Sequence, residues 1–549
     1  MGAVSLTLDA LRAGPSRRAL RFTLIRVASQ CRYNSTVAPN LKAPLPHPHA
    51  AIEKLSTELS LIQPCFGARG DEIALLNSPT DFYAKLINLI KRAKRRIIIS
   101  TLYIGVEESE LISTLRDSLK ANTQLRCTLI LDYHRSTRLS PSETLPHSTA
   151  HMLLPLIEEF PDRVEAWFFR SPKLKGLLEK IVPARYDEGW GTWHGKWYGV
   201  DDEVILSGAN LASSYFTNRQ DRYIHFQRHP SLLSYLSSLT RLFSDYSYRL
   251  SPSPPPSLSP RHLVPLPSLP SSSPNSPKAS LVWPHFSLHP RHFGPHALAT
   301  LTAFQNSWRN LNASRLRRVD VDTWFWPVVQ AGVLGVREEE RSLGKVWDGV
   351  RDVWRKGEGN ETDKKKESVE VALTSGYFGL YKAYKKAVID SPAPVKLIAA
   401  SPKSNGFYGS AGLSRLIPEA YTLLESRFHR DAQQSGRIKE GGVRLREWER
   451  KGWTYHSKGI WLSPTAPAAN PFFTFIGSSN LSTRSLNLDT ELSLLILTSS
   501  PSLRKALGQE LKALDEYAVD VGESTWKAED RKVSWLCWAL VALGVEGML

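Results

Sequence analysis

The sequence predicts an α/β protein of two similar domains, packed about a pseudo-two-fold axis, with mixed or parallel sheets flanked by helices and one shared site. Three observations predict it. Apolar, β-rich runs alternate with stretches of helical periodicity. The string "HGKWYGVDDEVILSGANL" from His194 has a counterpart in "HSKGIWLSPTAPAANPFFTFIGSSNL" from His456. A Pro/Ser-rich segment, "SPSPPPSLSPRHLVPLPSLPSSSPNSPKAS" from Ser251, divides the two copies.

In the first half, "DFYAKLINLIKRAKRR" reads as a helix and leads into the strand-like "IIISTLYIG". The helix-like "ESELISTLRDSLKAN" and the buried-strand pattern "LRCTLILDY" follow. In the second half, "VEVALTSGYF", "GLYKAYKKAVID" and "VKLIAASP" repeat strand, helix and strand. Such alternation gives βαβ units, and its duplication gives two domains. The expected organisation is a leader and tether over residues 1–50, a first domain over 55–250, a disordered Pro/Ser insertion over 251–280 and a second domain over 281–549. Arg355–Ser368, polar and charged, reads as a surface loop.

The leader carries Arg12, Arg17, Arg18, Arg21, Arg26 and Arg32, with Asp9 its only acid. An Arg-rich, acid-poor start predicts mitochondrial targeting. Over all 549 residues, 70 Lys+Arg against 53 Asp+Glu give a net charge of +17, which favours an anionic partner. The four cysteines, Cys31, Cys65, Cys127 and Cys537, lack metal-ligand spacing and imply neither a zinc site nor a disulfide framework. No apolar run is long enough to span a bilayer. Thr323–Val336 and Trp535–Val545 are candidate lipid-facing elements, and Lys91, Arg92, Lys94, Arg95 and Arg96 would suit an anionic membrane surface.

Residues i and i+2 of a strand share a face, so His194 projects with Lys196 and His456 with Lys458. Two imidazoles facing each other across a phosphorus can attack from one side and protonate the leaving oxygen from the other. Two ammonium groups can neutralise the phosphoryl oxygens, so the chemistry requires no cofactor; stimulation by a divalent metal is left open. Asn210 and Asn480 end apolar runs where an amide can reach phosphate oxygens. Asp221 and Glu491 lie eleven residues after them, and each suits a carboxylate that orients a histidine. Which histidine each serves, and which histidine attacks, the sequence leaves open. Arg135 and Arg138 follow a strand end, and Lys403 sits at the corresponding place in the second half. All three are candidate phosphate contacts. Ser100, Thr101, Leu102, Tyr103, Ile104, Gly105, Val106 and Glu107 follow the first strand and are candidates to line a nucleotide site.

These paired motifs resemble those of the phospholipase D superfamily, with its HxKx4D signature. His194, Lys196 and Asp201 match it in full. In the second copy His456 and Lys458 match, but Ser463 stands at the aspartate position. Further stretches, "LDYHRSTR", "SGANLASSYFTNRQDRY", "TWFWPVVQAG", "SPKSNGFYGSAG" and "GSSNLSTRSLNLDTE", are similar to the mitochondrial CDP-diacylglycerol–glycerol-3-phosphate 3-phosphatidyltransferase family. The resemblance implies two phospholipase D-like domains and transfer of a phosphatidyl group from CDP-diacylglycerol to glycerol 3-phosphate, with release of CMP. It implies His194, Lys196, Asp201, His456 and Lys458 as catalytic residues. It also implies peripheral attachment to the matrix side of the anionic mitochondrial inner membrane, with no nucleic-acid partner. The competing readings are a superfamily enzyme with another acceptor, of phosphatidylserine or cardiolipin synthase type, and a nucleic-acid phosphodiesterase.

Overall fold

A computed structural model describes residues 47, 49–140, 144–176, 179, 181–182, 186–253, 258–259, 262–266, 279–313, 320–355, 368–466 and 469–548. The arginine-rich leader, most of the Pro/Ser segment and residues 356–367 lie outside them.

Two large mixed sheets dominate. In the first, the strands run in the order Leu263–Pro265, Ser280–Val282, Ser247–Ser251, Val164–Phe169, Arg126–Asp132, Arg96–Ser100, Trp197–Val200, Glu203–Ser207, Tyr223–Phe226 and Ile73–Leu76. In the second, from the matching edge, they run Ala518–Asp520, Val443–Trp448, Val395–Ala400, Val369–Ser375, Lys458–Pro464, Phe473–Gly477, Thr490–Thr498, Thr323–Ala331 and Phe66–Ala68. From Ser247–Ser251 and from Ala518–Asp520 onward the two orders coincide strand for strand. Each has three parallel strands at its heart and antiparallel neighbours beyond. The duplication read from two histidine motifs is thus a duplication of the whole topology.

Local chemistry explains the elements. Helix Pro79–Lys91 starts at Ser78, whose hydroxyl accepts the Asp81 amide at 3.0 Å, with proline in the first turn. It buries Phe82, Leu86, Leu89 and Ile90, one face at helical spacing, against strands whose Ile97–Ile99 are also buried. The runs "IIIS" and "LILD" are apolar on both sides because helices cover both faces of a parallel sheet.

The domain boundaries differ from those expected. Helix Ala50–Ile62 packs on Glu338–Arg355, and Phe66–Ala68 pairs with Thr323–Ala331, so this stretch belongs to the second sheet. Ser280–Val282 and the buried Trp283 belong to the first. The Pro/Ser segment is not wholly outside the fold either. Leu263–Pro265 forms the edge strand beyond Ser280–Val282, and Leu266 donates to Ala279 O at 2.9 Å. The apolar Leu263, Val264 and Leu266 within the segment account for this.

Thr323–Ala331 is buried along its whole length, and Trp324 and Trp326 are among the largest buried side chains. It is a sheet strand packed between layers, and not a lipid-facing element. Arg222 ties the halves together. From the first half its guanidinium donates to Phe475 O at 2.8 Å and Thr474 Oγ1 at 2.9 Å, pairs with Glu510 at 2.7 Å, and stacks on Trp461. Gly459 leaves the space it fills.

Candidate active site

The site lies where the two halves exchange backbone hydrogen bonds. His194 donates its amide to Thr490 O at 2.8 Å, and Thr490 donates to Thr192 O at 2.8 Å. In the other half His456 donates to Gln220 O at 2.8 Å, beside the short parallel pairing of Thr454–Tyr455 with Arg219–Gln220. Each histidine is therefore pinned by the opposite domain, one residue before that domain's carboxylate.

The carboxylates complete the exchange. Glu491 Oε2 lies 2.8 Å from His194 Nδ1, and Asp221 Oδ2 lies 2.6 Å from His456 Nδ1. Gly208 permits the second contact, since a Cβ there would sit 2.6 Å from Asp221 Oδ1. At the equivalent place in the second half stands Ser478, whose hydroxyl accepts the Leu492 amide at 3.2 Å.

Both lysines are fully buried. Lys196 Nζ donates to His194 O at 2.7 Å; Lys458 Nζ lies 2.7 Å from His456 Nδ1 and also donates to His456 O. Burial brings the lysine pKa values down, to about 8 for Lys196 and about 7 for Lys458, against the pull of Glu491 and Asp221. Burial also lowers both imidazoles. For His456 the charges of Lys458, Arg219, Lys196 and His194 add to it, so the two motifs act on one another within one pocket. Burial acts to raise Glu491, but His194 and Lys196 outweigh it and hold the carboxyl at about 2. We take Glu491 as ionised and His194 as neutral, its Nδ1–H directed at Glu491; the tautomer is assigned from its partners.

Asn210 and Asn480 stand at their strand ends. Asn210 Nδ2 donates to Tyr215 Oη at 2.9 Å, and both asparagines keep a buried Oδ1 without a hydrogen-bond partner. Asp201 lies elsewhere. It sits at the far end of strand Trp197–Val200 from Lys196, at φ +53°, and its carboxylate accepts the amides of Lys94 at 2.8 Å, Arg95 at 2.7 Å and Arg96 at 3.2 Å. Its role is to join a turn to the start of strand Arg96–Ser100. Ser463, inside strand Lys458–Pro464 opposite Glu370, has no such turn to hold. Both motifs thus keep their histidine and lysine at the site, and the aspartate was never part of it.

The candidate phosphate cations are already engaged. Arg135 lies over the Tyr103 ring at 4.4 Å and 3.8 Å from Glu188; Arg138 also pairs with Glu188. Lys403 is about half exposed, 3.8 Å from Glu449. Arg92 and Arg95 pair with Glu203 and Asp202 at the Asp201 end of the sheet, away from the histidines.

The run Ser100–Glu107 divides. Ser100 Oγ bridges Gly195 O at 2.8 Å and Trp193 Nε1 at 3.0 Å, supporting the histidine loop from behind. Thr101 and Leu102 hold the turn, Thr101 through Tyr103 O and Leu102 through the Asp132 amide. Ile104 and Gly105 bridge to Leu211, and Val106 and Glu107 carry the chain outward.

Sequence reading missed four groups here. Tyr215 and Tyr377 stand perpendicular to the His456 ring, with centroids 5.3 and 5.5 Å away. Asp489 accepts the amide and hydroxyl of Thr192, both at 2.9 Å, and so fixes the loop before His194. Arg219 lies over Tyr215 at 4.5 Å and donates to Tyr377 Oη at 2.8 Å. Tyr215, Arg219 and Asp489 lie within the Asn-to-carboxylate stretches, their only sequence signal; Tyr377, which follows strand Val369–Ser375, had none.

Two α/β domains sharing one pocket of two His–Lys pairs define a phospholipase D-like phosphoryl-transfer protein. No family model matches the chain. Among solved structures, phosphatidylserine synthase from Haemophilus influenzae superposes with a TM-score of 0.62 at 17% identity, over 90% of this chain and 99% of that one, and so shares the fold. The CDP-diacylglycerol–glycerol-3-phosphate 3-phosphatidyltransferase of Schizosaccharomyces pombe is 34% identical over 492 residues, covering 84% of this chain and 92% of the relative. The mitochondrial enzyme of that name from Homo sapiens is 31% identical over 478 residues, covering 86% and 82%. The chain belongs to the CDP-diacylglycerol–glycerol-3-phosphate 3-phosphatidyltransferase family.

Proposed function

We propose that this protein transfers the phosphatidyl group of CDP-diacylglycerol to glycerol 3-phosphate, giving phosphatidylglycerophosphate and CMP, by two displacements at one phosphorus. The observation that carries this reading is the exchange of carboxylates, Glu491 to His194 and Asp221 to His456. It orients two histidines independently within one pocket.

His194 is the nucleophile. Its Nδ1 faces only a carboxylate, so the ring proton sits on Nδ1 and the Nε2 lone pair is free. His456 is the acid. Lys458 Nζ lies 2.7 Å from its Nδ1 and can supply a proton there as Nε2 gives one up, while Asp221 holds the ring in place at 2.6 Å. In the first step Nε2 of His194 bonds to the lipid-bearing phosphorus, the diphosphate P–O bond breaks, and CMP leaves with the Nε2 proton of His456 as Lys458 passes one to Nδ1. In the second, the primary hydroxyl of glycerol 3-phosphate gives its proton to Nε2 of His456, Nδ1 returns one to Lys458, and the alkoxide oxygen bonds to phosphorus as the P–N bond breaks. Lys196 balances the charge on the phosphoryl oxygens in both steps.

Two acyl chains on the donor bring the site to a bilayer surface. Among the described residues no helix is long and apolar enough to cross a membrane. Helix Trp535–Ala542 instead buries Cys537 and Val541 against Leu416–Gln434 and leaves Trp535 81% and Trp538 55% exposed, with Leu543 beyond it 82% exposed. The apolar cluster on the buried side of this helix takes in Tyr377, which touches His456, and so links the helix to the site. We place it in the interface of the inner mitochondrial membrane, following the mitochondrial relatives.

The test is CMP release from CDP-diacylglycerol with glycerol 3-phosphate, serine or phosphatidylglycerol as acceptor, followed by rapid alkaline quenching with donor radiolabelled at the phosphatidyl phosphorus. Release driven by glycerol 3-phosphate, with label on wild-type protein and none on His194→Ala, is expected. Release driven only by another acceptor overturns the assigned substrate, and inverted configuration at phosphorus overturns the two-step route.

A further inference from the structure

Arg219 is the cation in this pocket for which the protein supplies no counter-charge. It is 9% exposed, yet among the described residues it pairs with no carboxylate. Its protein contacts are the Tyr215 ring and the Tyr377 hydroxyl, and its Nε is buried without a hydrogen-bond partner. Leaving a guanidinium buried and uncompensated is costly unless a ligand anion completes it. Its charge reaches His456, Lys458, Lys196 and Asp221, lowering the pKa of each, so it faces the reacting groups. Lys458, by contrast, lies 3.9 Å from Asp221, and Lys196 is held by the His194 carbonyl at 2.7 Å.

The repeat makes the point sharper. Aligning Asn210 with Asn480 and Asp221 with Glu491 sets Arg219 against Asp489 and Tyr215 against Ser485. Asp489 is spent on Thr192 and on Arg484, at 3.0 Å. The pocket is therefore symmetric in its histidines and lysines but polarised around them, with the spare cation on the His456 side. Gly406 makes room for it. A Cβ there would lie 2.8 Å from Nη1, 3.0 Å from Nη2 and 3.0 Å from Tyr377 Oη.

We propose that Arg219, held by Tyr215 and Tyr377 under Gly406, binds the phosphomonoester dianion of the acceptor and so sets the preference for a phosphorylated alcohol over a neutral one. The proposal rests on the phosphatidyl-transfer reading. The acceptor hydroxyl must approach beside the general base, and His456 is the histidine that Arg219 flanks. A forked guanidinium suits a phosphate dianion better than a point ammonium does. The donor's diphosphate has the same chemistry, and kinetics separate the two sources.

The experiment measures KM for glycerol 3-phosphate and for CDP-diacylglycerol in mixed micelles, and the ratio of kcat/KM for glycerol 3-phosphate over glycerol. The variants are Arg219→Gln, Arg219→Lys and Gly406→Ala, with a melting curve for each. Wild-type transfer to glycerol 3-phosphate is the control for the underlying reading; its absence would reject that reading before Arg219 is tested. In Arg219→Gln the KM for glycerol 3-phosphate is expected to rise on the order of 10²-fold, the range for a lost charge-assisted pair. Preference over glycerol should fall by the same factor. Arg219→Lys should recover part of the loss. Gly406→Ala, which leaves the charge in place but displaces it, should reproduce the defect with a near-native melting temperature. A rise confined to the KM of CDP-diacylglycerol would assign the guanidinium to the donor and overturn the proposal. An unchanged preference for glycerol 3-phosphate over glycerol in both Arg219→Gln and Gly406→Ala would also overturn it.

Discussion

Glu491 Oε2 stands 2.8 Å from Nδ1 of His194, although the two residues belong to opposite halves of the chain. The reciprocal pair, Asp221 and His456, is closed at 2.6 Å. Neither domain can orient its own histidine, so the pocket exists only when both sheets are docked.

Removing either carboxylate should therefore damage catalysis more than stability. In Glu491→Gln the amide oxygen can still accept from Nδ1–H, but the charge that supports the imidazolium is gone. A fall in kcat of roughly 10²–10⁴-fold is expected, as for other histidine–carboxylate pairs. Steady-state assays at saturating substrates measure it, and a loss below tenfold would contradict the assigned role.

Asp201 should behave in the opposite way, despite matching the superfamily signature. Asp201→Ala strands three amides, those of Lys94, Arg95 and Arg96, at the turn. It should lower stability by about 1–3 kcal/mol while the folded enzyme keeps its kcat. Thermal melting and specific activity of the soluble fraction decide this.

The pH profile should carry the lysines. Lys458 loses its proton as pH rises through about 7 and Lys196 through about 8. The kcat/KM of the free enzyme should fall across that interval, while the acid limb lies below the ordinary imidazole range because burial lowers His194. Stability moves the other way. A lysine whose folded pKa is depressed binds more protons when unfolded, so its contribution to stability rises with pH above about 7. The stability of wild type relative to Lys458→Met should accordingly improve between pH 7 and 9, as denaturant melts at each pH would show.

The Pro/Ser segment should tolerate shortening between Leu266 and Ala279. Leu266 donates to Ala279 O at 2.9 Å, so the ends of residues 267–278 are already adjacent. Replacing those twelve with Asn-Gly, a favoured two-residue hairpin turn, should preserve activity and melting temperature. Deleting 251–280 whole removes the edge strand Leu263–Pro265 that pairs beside Trp283 and should yield insoluble protein.

The outward face of helix Trp535–Ala542 should control lipid binding. Trp535→Ala combined with Trp538→Ala removes two exposed rings without touching the buried Cys537 and Val541. Flotation with anionic liposomes should weaken several-fold, while any activity on a soluble short-chain donor stays near wild type. Unchanged flotation would refute the placement.

The sequence by itself determined the duplicated α/β architecture and the two His–Lys pairs. The reason is periodicity: strand and helix patterns are local, and a histidine two residues before a lysine on a strand shares a face with it in any fold. The packed structure decided everything that depends on distance across the chain. That includes which carboxylate serves which histidine, that Asp201 holds a turn, that Thr323–Ala331 is core, and that Phe66–Ala68 completes the second sheet. It also decided that Arg135 and Arg138 are neutralised by Glu188 while Arg219 is not. A charge is legible in a sequence, but whether it is paired is a matter of what folding places within about 4 Å of it.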